Sequence, residues 1–548
     1  MHESKKPNFL KGAAILAATG VFVKIIGAIY QIPILNVLGD EGAGYFHVTY
    51  NVYALMLAIS TAGVPVALSR LVSSAVAREN TLLIKRYYSV AMPAFFVIGI
   101  VFMCVMFFMA DELAALMGSS LAATGIRVLA PAVFFVCIIS VYRGYAQGFQ
   151  DMIPTAASQV IEVVSKALFG IAVAFYLARY GYASEYVSAG AITGVTIGLG
   201  LSIPVMMWYK RKIDKQKLFC NDPKEFQGEL PSKKRALMRF FKVSITISLS
   251  ASFMSVMGVI DTGVVSNRLQ SALMLTENEA MAQLGIFRKG VSIYNLPPSL
   301  VVPLAVSIIP AIAAAVARAN KDESSVITQT SLKLTNLFAM PACAGIMVLA
   351  GPILKALYYD PGQTPETVAA MTTILVILSA ASYFVCLQHM TIATLQAHGF
   401  ERIVLLTFPA GAIVRIAFSY FLVGNPDIGI IGSPIAMLAC FSVIVALNVI
   451  FIKTKIKTNM KFFSGFVKPL ICASIMAAVA YFTFWSAHWL GSGFLGTGRT
   501  AVVIYLAVAI LAGVVVYGVL IVITRAITKE DLTYVPKGEK LAKLLGIR

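Results

Sequence analysis

Apolar runs of about 20 residues, the length that carries a helix across a bilayer, recur from one end of this chain to the other. Short polar breaks rich in Lys, Arg, Gly and Pro separate them. Taking those breaks as boundaries gives fourteen candidate spans, near 12–36, 44–69, 87–110, 122–146, 154–178, 186–209, 240–264, 282–314, 326–350, 366–390, 403–423, 429–452, 466–490 and 500–523. The pattern predicts an all-α, polytopic membrane protein.

Composition agrees, with 59% hydrophobic and only 13% charged residues among 548. The net charge of +19 raises the question of a nucleic-acid partner, and the placement of the charges answers it. With the N-terminus in the cytoplasm, 34 of the 44 Lys and Arg fall in inner segments. Four, Arg179, Arg268, Lys355 and Arg499, fall in outer loops, and the rest lie inside spans. By the positive-inside rule this asymmetry predicts that both termini are cytoplasmic. The basic balance is then topology and attraction to anionic lipid, with no nucleic acid implied. The seven cysteines (104, 137, 220, 343, 386, 440 and 472) form no CxxC and read as small apolar filler. The opening MHESKKPNFLKG has no cleavable signal pattern, so the first apolar run is expected to remain as a span.

The chain also repeats itself. GYFHVTYNVYALMLAISTAGVPVALSRLVSSAVAREN (44–80) parallels GIFRKGVSIYNLPPSLVVPLAVSIIPAIAAAVARAN (285–320). Both open on G-x-F, carry Tyr-Asn, then proline, and close on AVAR-x-N. A second echo pairs QGFQDMIPTAASQVIEVVSKALFGIAVAFYL from 147 with QAHGFERIVLLTFPAGAIVRIAFSYFL from 396, and sets Lys166 opposite Arg415. The offsets are similar and the order is kept. The expectation is two parallel six-helix lobes, 1–209 and 240–453, joined by a basic cytoplasmic linker at 210–239. Two additional helices at 454–523 and a basic cytoplasmic tail at 524–548 follow. Repeats of this kind build the central, alternately opening cavity of many secondary transporters.

RGYAQGFQDMIPTAASQVIE (143–162) resembles the signature of the sporulation-protein-V-B/YtgP group of polysaccharide-biosynthesis membrane proteins. KIIGAIYQIPI and LGDEGAGYF (24–46), VIDTGVVSNRL (259–269) and YNLPPSLVVPLAVSIIPAIAAA (294–315) agree with that resemblance, which covers nearly the whole chain. The group lies in the multidrug/oligosaccharidyl-lipid/polysaccharide exporter superfamily and is related to the lipid II flippases. The resemblance implies a twelve-helix, two-lobe core with two added helices in a bacterial plasma membrane. It also implies a substrate linked to undecaprenyl pyrophosphate.

A charge at the centre of a span costs about 2.5–3.5 kcal/mol on insertion scales, so each one needs a partner or a wet cavity. Lys24, Lys166, Arg288, Lys289 and Arg415 are such charges, and all are cationic. Acidic company is confined to Glu162, one turn before Lys166, and Asp261; both are candidates for coupling or for structural pairing, as is polar Gln31. One reading makes the cations a site for a diphosphate, which Lys and Arg bind through charge-assisted hydrogen bonds. The other is structural pairing, preferred for Lys166 because Glu162 stands at i−4. The resemblance favours Lys24 and Arg288, since flippases of the superfamily carry essential basic residues in the first and eighth helices. Tyr30 and Gln31 stand where the lipid II flippases often carry charge. Asn51 and Asn295, related by the repeat, either contact substrate or join helices.

The polar stretch at 142–162 reads as the cytoplasmic turn between the fourth and fifth spans, and QAHGFER as its counterpart in the other lobe. Arg143, Gln147, Gln150, Gln396 and Glu401 are therefore gate candidates, with a solvated, capped loop as the alternative. Prolines 297, 298, 303 and 310 predict a bent or broken eighth span. There is no G-x-x-x-x-G-K-[ST], so no ATP engine is expected. Scattered histidines argue against a metal site. The functional expectation is a flippase for a lipid-linked saccharide of peptidoglycan or spore cortex, with no catalytic residue and no cofactor. Na⁺, H⁺ or the membrane potential would drive it, and its partners would be the lipid-linked substrate, membrane lipids and the cell-wall synthesis machinery. A multidrug exporter of the same fold, or a membrane enzyme using the same lipid, are the alternatives.

Overall fold

The computed structural model describes residues 7–61, 63–218, 231–318, 320–358, 363–456 and 463–527. Cys220, part of the expected linker (219–230) and most of the expected tail (528–548) lie outside these residues. Every regular element among the described residues is helical. Contacts divide the chain into two compact units, Met1–Gly285 and Ile286–Arg548.

The first unit holds α1 (Pro7–Thr61), α2 (Val64–Ala77), α3 (Thr81–Phe108), α4 (Ala110–Leu116), α5 (Ala123–Gly148), α6 (Ile153–Arg179), α7 (Ser184–Ile213) and α8 (Lys233–Leu273). It also includes the first half of α9 (Glu277–Tyr294). The second unit continues α9 and adds α10 (Leu296–Ala317), α11 (Lys321–Val348), α12 (Ala350–Leu357), α13 (Pro365–Ala397), α14 (Glu401–Val423), α15 (Gly432–Phe451), α16 (Lys468–Leu495) and α17 (Arg499–Ile523). In the first unit α8 packs along α1, α2 and α3. Phe95 of α3 meets Phe240 edge-on at 5.5 Å and stacks on Phe241 at 6.1 Å. Asn51 of α1 donates to the Thr262 hydroxyl of α8 at 2.8 Å.

Eleven stretches among the described residues are long and apolar enough to cross a membrane, where the sequence pattern predicts fourteen spans. This is a polytopic membrane fold. The difference has local causes. The first two expected spans form one stretch, Phe22–Ala77, which at about 1.5 Å per residue is long enough to cross twice. It turns at Gly39, whose φ of 68° is open to a residue without a Cβ. The eighth expected span is divided at Asn295 into α9 and α10, and Pro297 and Pro298 open the second piece. A proline ring in the first turn forgoes only an N–H that has no helical partner there, so the break falls just before it. The seventh lies inside α8, part of which lies outside the residues whose side chains are described, and is not among the eleven.

The two asparagines that close the repeated AVAR-x-N do the same work. Asn80 accepts the Leu83 N–H at 2.8 Å and starts α3, and Asn320 accepts the Glu323 N–H at 3.1 Å and starts α11. Each occupies one of the four amide donors that a helix start leaves unpaired.

Candidate functional site

In the first unit the polar side chains of α6 are placed by α7. A Cβ at Gly194 would lie 2.5 Å from the Gly170 nitrogen and 2.7 Å from the Lys166 carbonyl oxygen; one at Gly198 would lie 2.9 Å from the Glu162 carbonyl oxygen. Glycines at that spacing let the backbones of α6 and α7 touch, as small-residue faces do inside membranes. Glu162 and Lys166 then turn to α5 and α1. Arg143 of α5 holds Glu162 at 3.2 Å through Nη2, and its Nε donates to the Ser158 hydroxyl at 2.9 Å. The Lys166 ammonium lies 5.3 Å from the Tyr30 ring centre and 5.0 Å from that of Tyr50, both on α1.

This corrects two expectations. Glu162 is engaged by Arg143, a full helix away, and not by Lys166 at i+4. Arg143 stands within α5, before the turn, as a half-buried ion-pair partner of Glu162. Cross-helix pairing wins because Arg143 satisfies Glu162 and Ser158 with one planar fork, a geometry a lysine cannot offer. The charge of Lys166 is consequently met by aromatic faces, and no carboxylate approaches its ammonium among the described residues.

Elsewhere in this unit, Lys24 is exposed on α1 and makes neither hydrogen bond nor ion pair among the described residues, and Gln31 is half-buried. Asn51 bonds His47 at 3.3 Å as well as Thr262, so it joins α1 to α8. Asp261 is buried on α8. The turn after α5 is braced from within: Gln147 donates to the Thr155 hydroxyl at 3.2 Å, and exposed Gln150 takes a φ of 59°.

The second unit places its cations beside tyrosines too. Lys289 is buried, with its ammonium 5.8 Å from the Tyr358 ring centre. Ser292, one turn on, shares a 2.5 Å hydrogen bond with the Tyr358 hydroxyl, and Arg288 acts on the same hydroxyl through its charge. Burial raises the Tyr358 pKa above the ordinary tyrosine value, against the opposing pull of Ser292 and Arg288. At neutral pH it stays a neutral hydroxyl. Arg415 of α14 is half-buried and acts electrostatically on Tyr294 of α9. Asn295, between α9 and α10, donates to the Val291 carbonyl of α9 at 2.9 Å. Gln396 and Glu401 are exposed on either side of Gly399, where the chain turns with φ 78°.

A family model described as polysaccharide biosynthesis protein matches residues 9–316, just over half of the chain. The chain belongs to that family. Over 98% of its length it is 27% identical to the uncharacterized membrane protein YabM of Bacillus subtilis (strain 168), covering 97% of that protein. Stage V sporulation protein B of the same organism is 24% identical, with 97% of this chain and 98% of that protein aligned. The organism's lipid II flippase MurJ is 25% identical over 76% of this chain and 77% of its own. A solved structure of lipid II flippase MurJ in an inward closed conformation shares the fold, with a TM-score of 0.67 at 17% identity, covering 92% of this chain and 98% of that one. This family member is therefore a multi-pass membrane protein that shares its fold with MurJ.

In this family member, Tyr30, Tyr50, Tyr294 and Tyr358 are the functional candidates that the sequence reading passed over. A signal existed for two of them: Tyr50 and Tyr294 are the tyrosines of the repeated Tyr-Asn. Tyr50 lies beside Lys166, and Tyr294 is acted on electrostatically by Arg415, the cation that the second repeat pairs with Lys166. Tyr358 has no such signal, because it approaches α9 only through folding.

Proposed function

We propose that this transporter is a flippase that moves an undecaprenyl-pyrophosphate-linked saccharide, lipid II of peptidoglycan or its spore-cortex counterpart, from the inner to the outer leaflet by alternating access. The observation that carries the reading is the state of Lys166. Its neighbouring carboxylate is already engaged by Arg143, and its ammonium rests on two tyrosine rings that hold a cation without neutralising it. A cation kept in that way inside a membrane fold suits a migrating phosphate. Lys24, Arg288, Lys289 and Arg415 extend the same positive character, with Asn51, Asn295 and Gln31 as polar contacts.

The sequence relationship to a lipid II flippase supports the substrate class. With both termini cytoplasmic, outward passage of a dianionic headgroup is helped by an inside-negative potential, at about 2.3 kcal/mol per charge per 100 mV. No cofactor is required, and ion coupling through Glu162 or Asp261 would add to that drive. The cell-wall synthesis machinery is the proposed consumer of the product. A pump for cationic drugs would call for acidic character where this chain has basic.

The test is a headgroup-accessibility assay in vesicles loaded with fluorescent lipid II. Protein-dependent protection or exposure of the headgroup, absent from empty vesicles, is the expected result. Vesicles in which the protein leaves lipid II distribution unchanged while exporting an organic cation would reassign it to drug transport.

A further inference from the structure

The second unit contains a cavity of about 660 Å³ bounded by α12, α13, α16 and α17, and Tyr358, the partner of Lys289, lines part of it. That volume falls within the range of ligand pockets, about 300–1,000 Å³. One wall is apolar, built from Val368 and Met371 of α13 and Phe484 of α16. The lining also includes Lys355, Gln363 and His488.

Two features make these polar groups a prepared site. Arg499, at the start of α17, donates to the last carbonyls of α12, to Ala356 at 2.9 Å and Leu357 at 3.1 Å. This fixes the helix turn that bears Lys355. The imidazole of His488 is wedged among the rings of Phe484, Trp485 and Tyr505 at 6.1, 5.9 and 5.6 Å. Yet neither the Lys355 ammonium nor the His488 ring makes a hydrogen bond or ion pair among the described residues. The nearest acid in sequence, Asp360, lies outside the described residues; Glu366, in the first turn of α13, does not pair with Lys355.

Depth in the membrane points to the occupant. Tyr481, Trp485 and Trp489 are exposed along α16, and such aromatic side chains settle at the level of lipid headgroups. On the proposed topology this is the outer side, where only four Lys and Arg stand outside the spans; one of them, Lys355, lines this cavity, and a second, Arg499, braces the end of the helix that bears it. We propose that the cavity binds one anionic glycerophospholipid of the outer leaflet. The phosphodiester engages Lys355 and His488, and one acyl chain lies against Val368, Met371 and Phe484. A single lysine with a single imidazole suits a monoanionic phosphodiester better than a pyrophosphate. The leaflet assignment rests on the topology proposed above; the lipid site itself does not depend on flippase activity.

The test uses full-length protein in nanodiscs of mixed phosphatidylglycerol and phosphatidylcholine, with retained lipid counted by native mass spectrometry. The wild type should keep one phosphatidylglycerol in preference to phosphatidylcholine. Lys355→Gln should lower that retention about tenfold through loss of a charge-assisted hydrogen bond. Val368→Trp, which fills the apolar wall and leaves the charge, should lower it as well. Unchanged melting in phosphatidylcholine alone shows that both variants are folded. Retention equal to wild type in both variants overturns the proposal. So does displacement by soluble glycerophosphoglycerol at matched concentration, which would mark a phosphate site, or preference for undecaprenyl pyrophosphate, which would assign the cavity to the transport path. Loss of lipid II flipping with phosphatidylglycerol retention intact bears on the transport reading alone.

Discussion

Gly44 of α1 and Gly285 of α9 face each other across a contact that admits no side chain. A Cβ on Gly285 would lie 3.1 Å from the Gly44 nitrogen and well inside the shell of the Asp40 carbonyl oxygen; one on Gly44 would collide with the Met281 carbonyl. The two are the opening glycines of the repeated G-x-F. Beside them the Tyr45 hydroxyl donates to Asn278 Oδ1 at 2.7 Å, and Glu277 accepts from the Leu121 N–H at 2.9 Å and the Ser119 hydroxyl at 3.2 Å. Glu279 completes the start of α9. It accepts the Thr276 N–H and hydroxyl at 2.8 Å each, and these hold its carboxyl below the usual value.

Gly285→Ala should therefore force α1 and α9 apart, with an overpacking cost of about 1–3 kcal/mol. On the proposed topology this contact is external, and a transporter that cannot close there should lose flipping while still inserting in the membrane. Disulfide formation between cysteines at Tyr45 and Asn278 reports the separation, and should slow at least severalfold when Gly285→Ala is added. An unchanged crosslinking rate would mean that the helices part elsewhere.

The ion pair of Arg143 and Glu162 gives a thermodynamic test. Glu162→Gln should destabilise the protein by leaving a half-buried guanidinium without its anion, and adding Arg143→Gln should return part of the loss. Both side chains keep some solvent access, 16% and 32%, so a coupling of about 1 kcal/mol is expected. Thermal unfolding in one detergent measures the cycle. Coupling of Glu162 to Lys166 instead of Arg143 would contradict the pairing seen here.

What the sequence disclosed follows from the range of the forces involved. Span length and the break before Pro297 are local effects, and each was legible from neighbouring residues; the caps at Asn80 and Asn320 are local too, but the sequence showed them only as the end of a repeat. The cations inside the spans were legible as well, because a charge among apolar residues stands out. Their partners were not. Glu162 chose Arg143 over Lys166, and Tyr358 reached Lys289 across about 70 positions of chain, by packing that no i+4 rule expresses. The repeat came nearest to pointing at these residues, since in sequence it set Lys166 opposite Arg415 and Tyr50 opposite Tyr294.

Charge reversal separates transport from folding. Lys24→Glu and Arg288→Glu should each abolish lipid II flipping in vesicles, since each replaces a group proposed to meet the diphosphate with one that repels it. Lys24 is exposed and makes no hydrogen bond or ion pair among the described residues, so Lys24→Glu should also keep wild-type insertion and yield. Full complementation of a flippase-deficient strain by both variants would remove these residues from the transport path.

The tyrosine partners make the finest distinction. If Tyr50 serves Lys166 through its ring face, Tyr50→Phe keeps the interaction and Tyr50→Leu removes it, at a cost of about 0.5–2 kcal/mol. The ammonium, no longer held between two rings, would sample more positions, and the initial flipping rate should fall about threefold or more in Tyr50→Leu but little in Tyr50→Phe. Arg415 acts electrostatically on Tyr294 in the other unit, so a slower rate in Tyr294→Leu would extend the same role to that cation. Parallel losses in Tyr50→Leu and Tyr294→Leu, with normal melting temperatures, would tie the cation–tyrosine pairs to transport. A wild-type rate in Tyr50→Leu would instead leave Lys166 a structural lysine, and the diphosphate would have to be carried by Lys24 and the basic residues of α9.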